Sequence, residues 1–117
     1  MPPFLSQNLP WILLVVIVAA LWLLKRPDVT PARAHELVAQ GARLVDVRSP
    51  GEYAAGHIDG AINIPVDQIG NRASSLDPKD RPVVVYCASG TRSAMARRTL
   101  RSAGFTQVFN LGPMSRW

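Results

Sequence analysis

Every charged side chain of this 117-residue chain stands at Lys25 or later, so the sequence divides into a charge-free head and a polar body. Between Leu9 and Leu24 the head is almost wholly apolar (LPWILLVVIVAALWLL). The missing polar face disfavours a helix half-buried on a soluble core. The run reads instead as a transmembrane helix over residues 9–25, with a short N-terminal segment at 1–8 and a linker at 26–29. Asn8 is placed to cap its start, and Pro10 falls in the first turn, where its missing N–H has no intrahelical partner. At 1.5 Å per residue the apolar core reaches about 24 Å, near the short end of what crosses a bilayer unless Phe4 to Gln7 add length. Trp11 and Trp22 are spaced to lie near the two interfaces. A cleaved signal peptide would have a positive segment before the apolar run and a small-x-small site after it. Here no Lys or Arg precedes Leu9, and bulky Leu21 to Leu24 lead into Lys25-Arg26. Those two cations place the rest of the chain in the cytoplasm by the positive-inside rule. No clear small-xxx-small stripe marks the helix for dimerisation, so the sequence leaves the oligomeric state open.

The polar body has room for one small domain, expected over 30–117. Its pattern alternates helical and extended stretches. Thr30 caps a helix with Pro31 at its first position, and Gly41 ends it. Strands are expected at Leu44–Val47, Ala61–Ile64, Val83–Tyr86 and Gln107–Phe109. Between them fall a helical turn from Ser49-Pro50 to Gly56, a helix around Val66 to Ile69, and a helix from Ser93 to Ala103 stopped by Gly104. Strands separated by helices imply an α/β fold, a small parallel sheet with helices on both faces.

Cys87 is the only cysteine, so there is neither an internal disulfide nor a resolving thiol. It follows the β-branched run Val83-Val84-Val85-Tyr86 and precedes a helix. The loop Cys87-Ala88-Ser89-Gly90-Thr91-Arg92 thus stands at the C-terminal edge of a sheet, where ligands bind in such folds. Backbone N–H groups can converge there on an anion, and a thiol so placed ionises below its free value of about 8.5. A lone cysteine is equally compatible with a buried structural thiol.

Three segments in order carry a resemblance: Asp46-Val47-Arg48-Ser49-Pro50-Gly51-Glu52-Tyr53, Gly56-His57-Ile58-Asp59-Gly60-Ala61-Ile62-Asn63-Ile64-Pro65, and Tyr86-Cys87-Ala88-Ser89-Gly90-Thr91-Arg92-Ser93. Together they resemble a single-domain rhodanese over nearly all of Pro27 to Trp117. The resemblance implies a sulfurtransferase that carries sulfane sulfur as a persulfide on Cys87, without a cofactor. It implies a donor such as thiosulfate or a thiol persulfide, a thiol or cyanide-like acceptor, and a protein persulfide as a further kind of partner. Ala88, Ser89, Gly90, Thr91 and Arg92 would line the anion-binding loop, with Gly90 letting the backbone curl and the small Ala88 and Ser89 leaving its mouth open. Arg92 has two readings, a hold on anionic sulfur or a pin that pairs with a carboxylate beneath the loop. Asp46 and Arg48 fit the family's D-x-R pattern and are expected to organise the neighbouring loop. Ser93 is expected to cap the following helix.

Other side chains receive structural readings. His57 and His35 make a poor metal pair, and a pre-ionised thiolate needs no strong base, so no metal site is expected. Arg97, Arg98 and Arg101 share a helix face that is read as solvated, with anionic donors or acidic lipid headgroups as its other uses. Aromatic residues do not interleave with these arginines, so nucleic-acid binding is not expected. Pro113 stands where the family usually has a second glycine, and Ala88 and Ser89 lack the cationic side chains of some relatives. Two alternatives remain: a non-catalytic interaction module at the membrane, and a Cys-based phosphatase or arsenate reductase, whose loops are one residue longer than this one.

Overall fold

The computed structural model describes residues 2–24 and 26–117. An N-terminal helix α1 (Pro3–Leu24) precedes a domain of alternating elements: α2 (Pro31–Ala39), β1 (Arg43–Asp46), α3 (Pro50–Ala55), β2 (Ile62–Asn63), α4 (Ile69–Arg72), β3 (Val83–Cys87), α5 (Thr91–Ser102) and β4 (Val108–Pro113). Short 3-10 turns flank α4 and follow β4.

The four strands form one parallel sheet in the order β2-β1-β3-β4. The chain winds outward from β1 to β2 in one direction and from β3 to β4 in the other. The loops leaving β1 and β3 therefore diverge, and a crevice opens at the C-terminal ends of those two strands. Period-2 alternation decides which face each side chain takes. Val83, Val85 and Cys87 join the cluster with Ile69, Ala96 and Leu100 beneath α4 and α5, whereas Val84 and Tyr86 join Ala34 and Leu37 beneath α2. Every residue of β3 is buried, as expected for a central strand covered on both faces. Cys87 thus lies on the α5 side of the sheet.

The helix starts follow local chemistry in two places. Thr30 accepts the Arg33 N–H with Pro31 at the first position, and Ser49 and Glu52 form a reciprocal capping box at α3. Where β3 pairs with β4 the register slips between Val85 and Tyr86, and Pro113 becomes the partner of Cys87. β4 is an edge strand, where a residue without an N–H costs no ladder bond on its open side. Gly112 has φ +89°, and a Cβ there would come 3.0 Å from Pro27, so the closing segment and the approach to the domain are fitted to each other.

The structure corrects several expectations. Helix α1 begins at Pro3 rather than Leu9, and Asn8 is not its cap: the side-chain amide donates to Phe4 O within the helix. Nothing in residues 3–8 stops a helix, so Pro3 serves as its first position instead. Trp11 consequently lies about 12 Å from the first residue of a helix about 33 Å long. Lys25, the last residue of the expected span, lies outside the described residues. No residue of α1 is buried, which excludes a role as a core helix of this domain. Within the expected linker, Asp28 N–H donates to Asn110 O and Val29 is buried in the core. Helix α5 begins at Thr91 with Gly90 at its N-cap, so Ser93 sits within the first turn rather than capping it.

Candidate active site

The crevice between the ends of β1 and β3 is built on a buried ion pair. Asp46, at the last position of β1, has no exposed surface, and Arg48 is 7% exposed. Arg48 Nη2 lies 2.8 Å from Asp46 Oδ2, its Nε is 3.1 Å from both carboxylate oxygens, and its backbone N–H donates to Oδ1 at 2.9 Å. Nη2 also donates to Gly56 O at 2.7 Å, tying the end of α3 to the end of β1. Asn63 Nδ2 donates to the carbonyls of Asp46 and Arg48, so β2 joins the same network. Below it, burial, with Asp46 adding to it, pushes the Tyr86 phenol up to about 12, and its oxygen accepts the Ile58 N–H. The loop after β1 is thereby locked, and α3 is aimed at the loop after β3.

Glu52 projects from α3 to Arg92. The pair is bidentate, at 2.7 Å and 3.0 Å, with both side chains about one-third exposed. The Arg92 guanidinium, followed by the Ser49 backbone N–H, holds the Glu52 carboxyl down at about 2. This acid is depressed when folded, so its contribution to stability is complete above the ordinary 4.5 and is lost as pH falls toward 2. The pin therefore persists throughout the physiological range. Of the two readings of Arg92, the geometry matches the carboxylate-paired one. Glu52 was not singled out from sequence as a site residue, although Ser49-x-x-Glu52 is a visible capping-box signature.

Cys87 Sγ sits within this frame. Gly90 has φ +97°, a conformation that L-residues rarely adopt, and this turns its N–H to donate to Sγ at 2.9 Å. Ser93 Oγ is 3.4 Å from Sγ and donates to Gly90 O at 3.1 Å, so the hydroxyl joins the sulfur to the turn that carries the Gly90 N–H. Burial pushes the Cys87 thiol up. The Ser93 hydroxyl and the backbone N–H groups of Ser93, Gly90 and Ser89 outweigh that and hold it below its ordinary value. Of the loop residues, Ala88, Ser89 and Thr91 are exposed and Gly90 is buried. Cys87 itself has no exposed surface, so the expected open mouth lies above the sulfur without baring it. A cleft of about 260 Å³ bordered by Ser49, Pro50, Pro65, Asp67 and Arg92 opens beside the loop.

The remaining candidates lie apart from the sulfur. His57 stacks on Tyr53, with Nδ1 2.8 Å from Tyr53 O, and His35 stacks on Trp117. Arg97 pairs with Asp28 and donates to Val108 O, so it turns toward the domain, whereas Arg98 and Arg101 stay exposed, Arg101 while also donating to Val108 O. The described residues contain no cluster of His, Cys, Asp and Glu able to hold a metal.

The site holds a thiol whose ionised form is favoured by its surroundings. The expected outcome of titrating Cys87 alkylation by iodoacetamide is a midpoint below that of a free cysteine measured alongside, shifted upward in Ser93→Ala. An unchanged midpoint in Ser93→Ala would remove the hydroxyl from the account.

A parallel α/β domain with an anion-stabilising cysteine loop at its switch point is the class this architecture defines. The model of the rhodanese-like domain matches residues 30–117, and the chain belongs to the rhodanese family. It is 44% identical over 77 residues to the uncharacterized protein YqhL of Bacillus subtilis, covering 65% of this chain and 60% of that protein. It is 45% identical over 75 residues to a sulfurtransferase of Allochromatium vinosum, covering 63% and 69% of the two chains. Among solved structures, the human single-domain sulfurtransferase TSTD1 superposes with a TM-score of 0.66 at 32% identity, over 79% of this chain and 92% of that one.

Proposed function

We propose that this protein is a sulfurtransferase that carries sulfane sulfur as a persulfide on Cys87 and is tethered to a membrane by α1. The observation that carries the reading is the Cys87 sulfur set in a six-residue loop with the Gly90 N–H at 2.9 Å and the Ser93 hydroxyl at 3.4 Å, contacts that favour its ionised form. The sulfurtransferase names of relatives support it. In the first step the thiolate attacks the sulfane sulfur of the donor. The donor's S–S bond breaks, its remainder leaves with the electron pair, and a Cys87 persulfide anion forms. An acceptor thiolate or cyanide then attacks the outer sulfur and returns Cys87 as thiolate. Backbone N–H groups of the loop stabilise the anion in both states. Because the sulfur is buried, entry of the donor requires the Ala88-Ser89 edge of the loop to shift, and these small, exposed residues make that shift inexpensive.

The donor is proposed to be a thiol persulfide or a protein-bound persulfide in preference to thiosulfate. Ala88 and Ser89 bring no charge, and the Arg92 charge is already paired with Glu52. Turnover with glutathione persulfide is expected to exceed turnover with thiosulfate at equal concentration, both read by transfer to cyanide. The reverse order would place an unpaired cation at the mouth.

For α1, the absence of any buried residue and the exposure of Trp11, Leu13, Val15 and Leu21 support a membrane span. The stretch from Leu9 to Leu24 would occupy the hydrocarbon, with Ser6, Gln7 and Asn8 continuing the helix into the headgroups. Arg26, together with Lys25 in the sequence, supports a domain on the cytoplasmic side. Full-length protein is expected to stay in the membrane pellet after carbonate washing. Release into the wash would remove the tether.

A further inference from the structure

The geometry points to a binding site for an anionic phospholipid where α1 meets the domain, an inference that rests on the proposed membrane span. A cavity of about 580 Å³ opens at this junction, lined by Leu23 and Leu24 from α1 and by Arg26, Arg97, Arg98 and Arg116. The one carboxylate on its wall, Asp28, is engaged by Arg97 and by the Asn110 N–H. Arg116 is tied to the carbonyls of Val29 and Leu111. Arg26 and Arg98 have no carboxylate partner among the described residues, and Arg26 instead lies 5.9 Å over the Trp22 ring. Asn110 also lines the cavity. Its Oδ1 accepts the Gly112 N–H, and its buried Nδ2 has no partner among the described residues.

Guanidinium groups bind phosphate oxygens well, and four of them around one engaged carboxylate leave an excess of positive charge. That chemistry alone would suit free phosphate equally. The neighbouring groove distinguishes the two sources. It holds about 480 Å³, shares Leu24, Ala94 and Arg98 with the first cavity, and runs between Val18, Leu21 and Trp22 of α1 and Met95 of α5. Cations at one end and an apolar channel along the anchor match a phosphate headgroup followed by an acyl chain. The level also matches, because the C-terminal end of α1 would lie at the anionic cytoplasmic surface. Thr91, at the start of α5, lines the same groove, so a bound lipid would hold the Cys87 loop in a set orientation to the membrane.

The test uses full-length protein in nanodiscs of equal phosphatidylglycerol and phosphatidylcholine, released and weighed by native mass spectrometry. Wild type should retain phosphatidylglycerol in preference to phosphatidylcholine, and excess inorganic phosphate should not displace it. Each of Arg26→Gln and Arg98→Gln should lower retention about fivefold, and Arg33→Gln on α2 should not. Equal retention of both lipids, indifference to Arg26 and Arg98, or displacement by inorganic phosphate would overturn the site. A carbonate-resistant protein with no lipid preference overturns the site alone, whereas a carbonate-released protein overturns the anchor and the site together.

Discussion

Cys87→Ala should reduce sulfur transfer by at least about three orders of magnitude, to the uncatalysed background, because the proposed route has no second thiol to take over. The fold should survive the change. Alanine removes one buried atom, at a cost of roughly 1 kcal/mol for a group of that size, and the Ser93 hydroxyl keeps Gly90 O as its acceptor. Steady-state transfer to cyanide, alongside unchanged circular dichroism, checks both halves of this outcome. Residual turnover above a few percent would move the chemistry away from Cys87.

The second large effect is on stability. Asp46→Ala should destabilise the domain by about 3–5 kcal/mol, because it leaves the Arg48 guanidinium buried without its counter-charge. That is a large share of the roughly 5–15 kcal/mol holding a typical domain together. Asp46 also accepts the Arg48 backbone N–H, so the loop that carries Glu52 toward Arg92 should loosen with it. Urea unfolding in detergent gives the size of the effect. The double variant Asp46→Ala/Arg48→Ala should cost less than the two single changes added together, since it leaves no orphaned charge. Strict additivity would mean that the pair does not act as a unit.

The parts of this architecture visible in the sequence are those set by neighbours along the chain. The β-branched run before Cys87 marked a buried strand, which the structure extends by one residue to include Cys87 itself, and Thr30-Pro31 and Ser49-Pro50 marked helix starts through caps that act over three residues. Strand ends were less visible. Leu44–Val47 is observed as Arg43–Asp46, and Gln107–Phe109 as Val108–Pro113, because pairing partners rather than propensity end a strand. Glu52 reaches Arg92 across forty positions, a contact that only the assembled crevice creates. Asn63 is similar, since its amide matters only once β2 lies beside β1. The role of Ser93 turned on helix register. A start at Thr91 rather than Ser93 carries its hydroxyl from the cap position to within reach of the sulfur. Arg97 read as part of a solvated face with Arg98 and Arg101, but Asp28 and the Val108 carbonyl on the edge strand draw it inward, while the other two stay exposed.

The central claim is that Cys87 holds sulfur covalently between donor and acceptor. Its most direct test is the intact mass of the protein after incubation with glutathione persulfide and removal of the excess. The account predicts a gain of one sulfur atom, reversed by cyanide and absent in Cys87→Ala. A wild-type mass that stays unchanged under every sulfane donor, with the protein folded and Cys87 still open to alkylation, would contradict it.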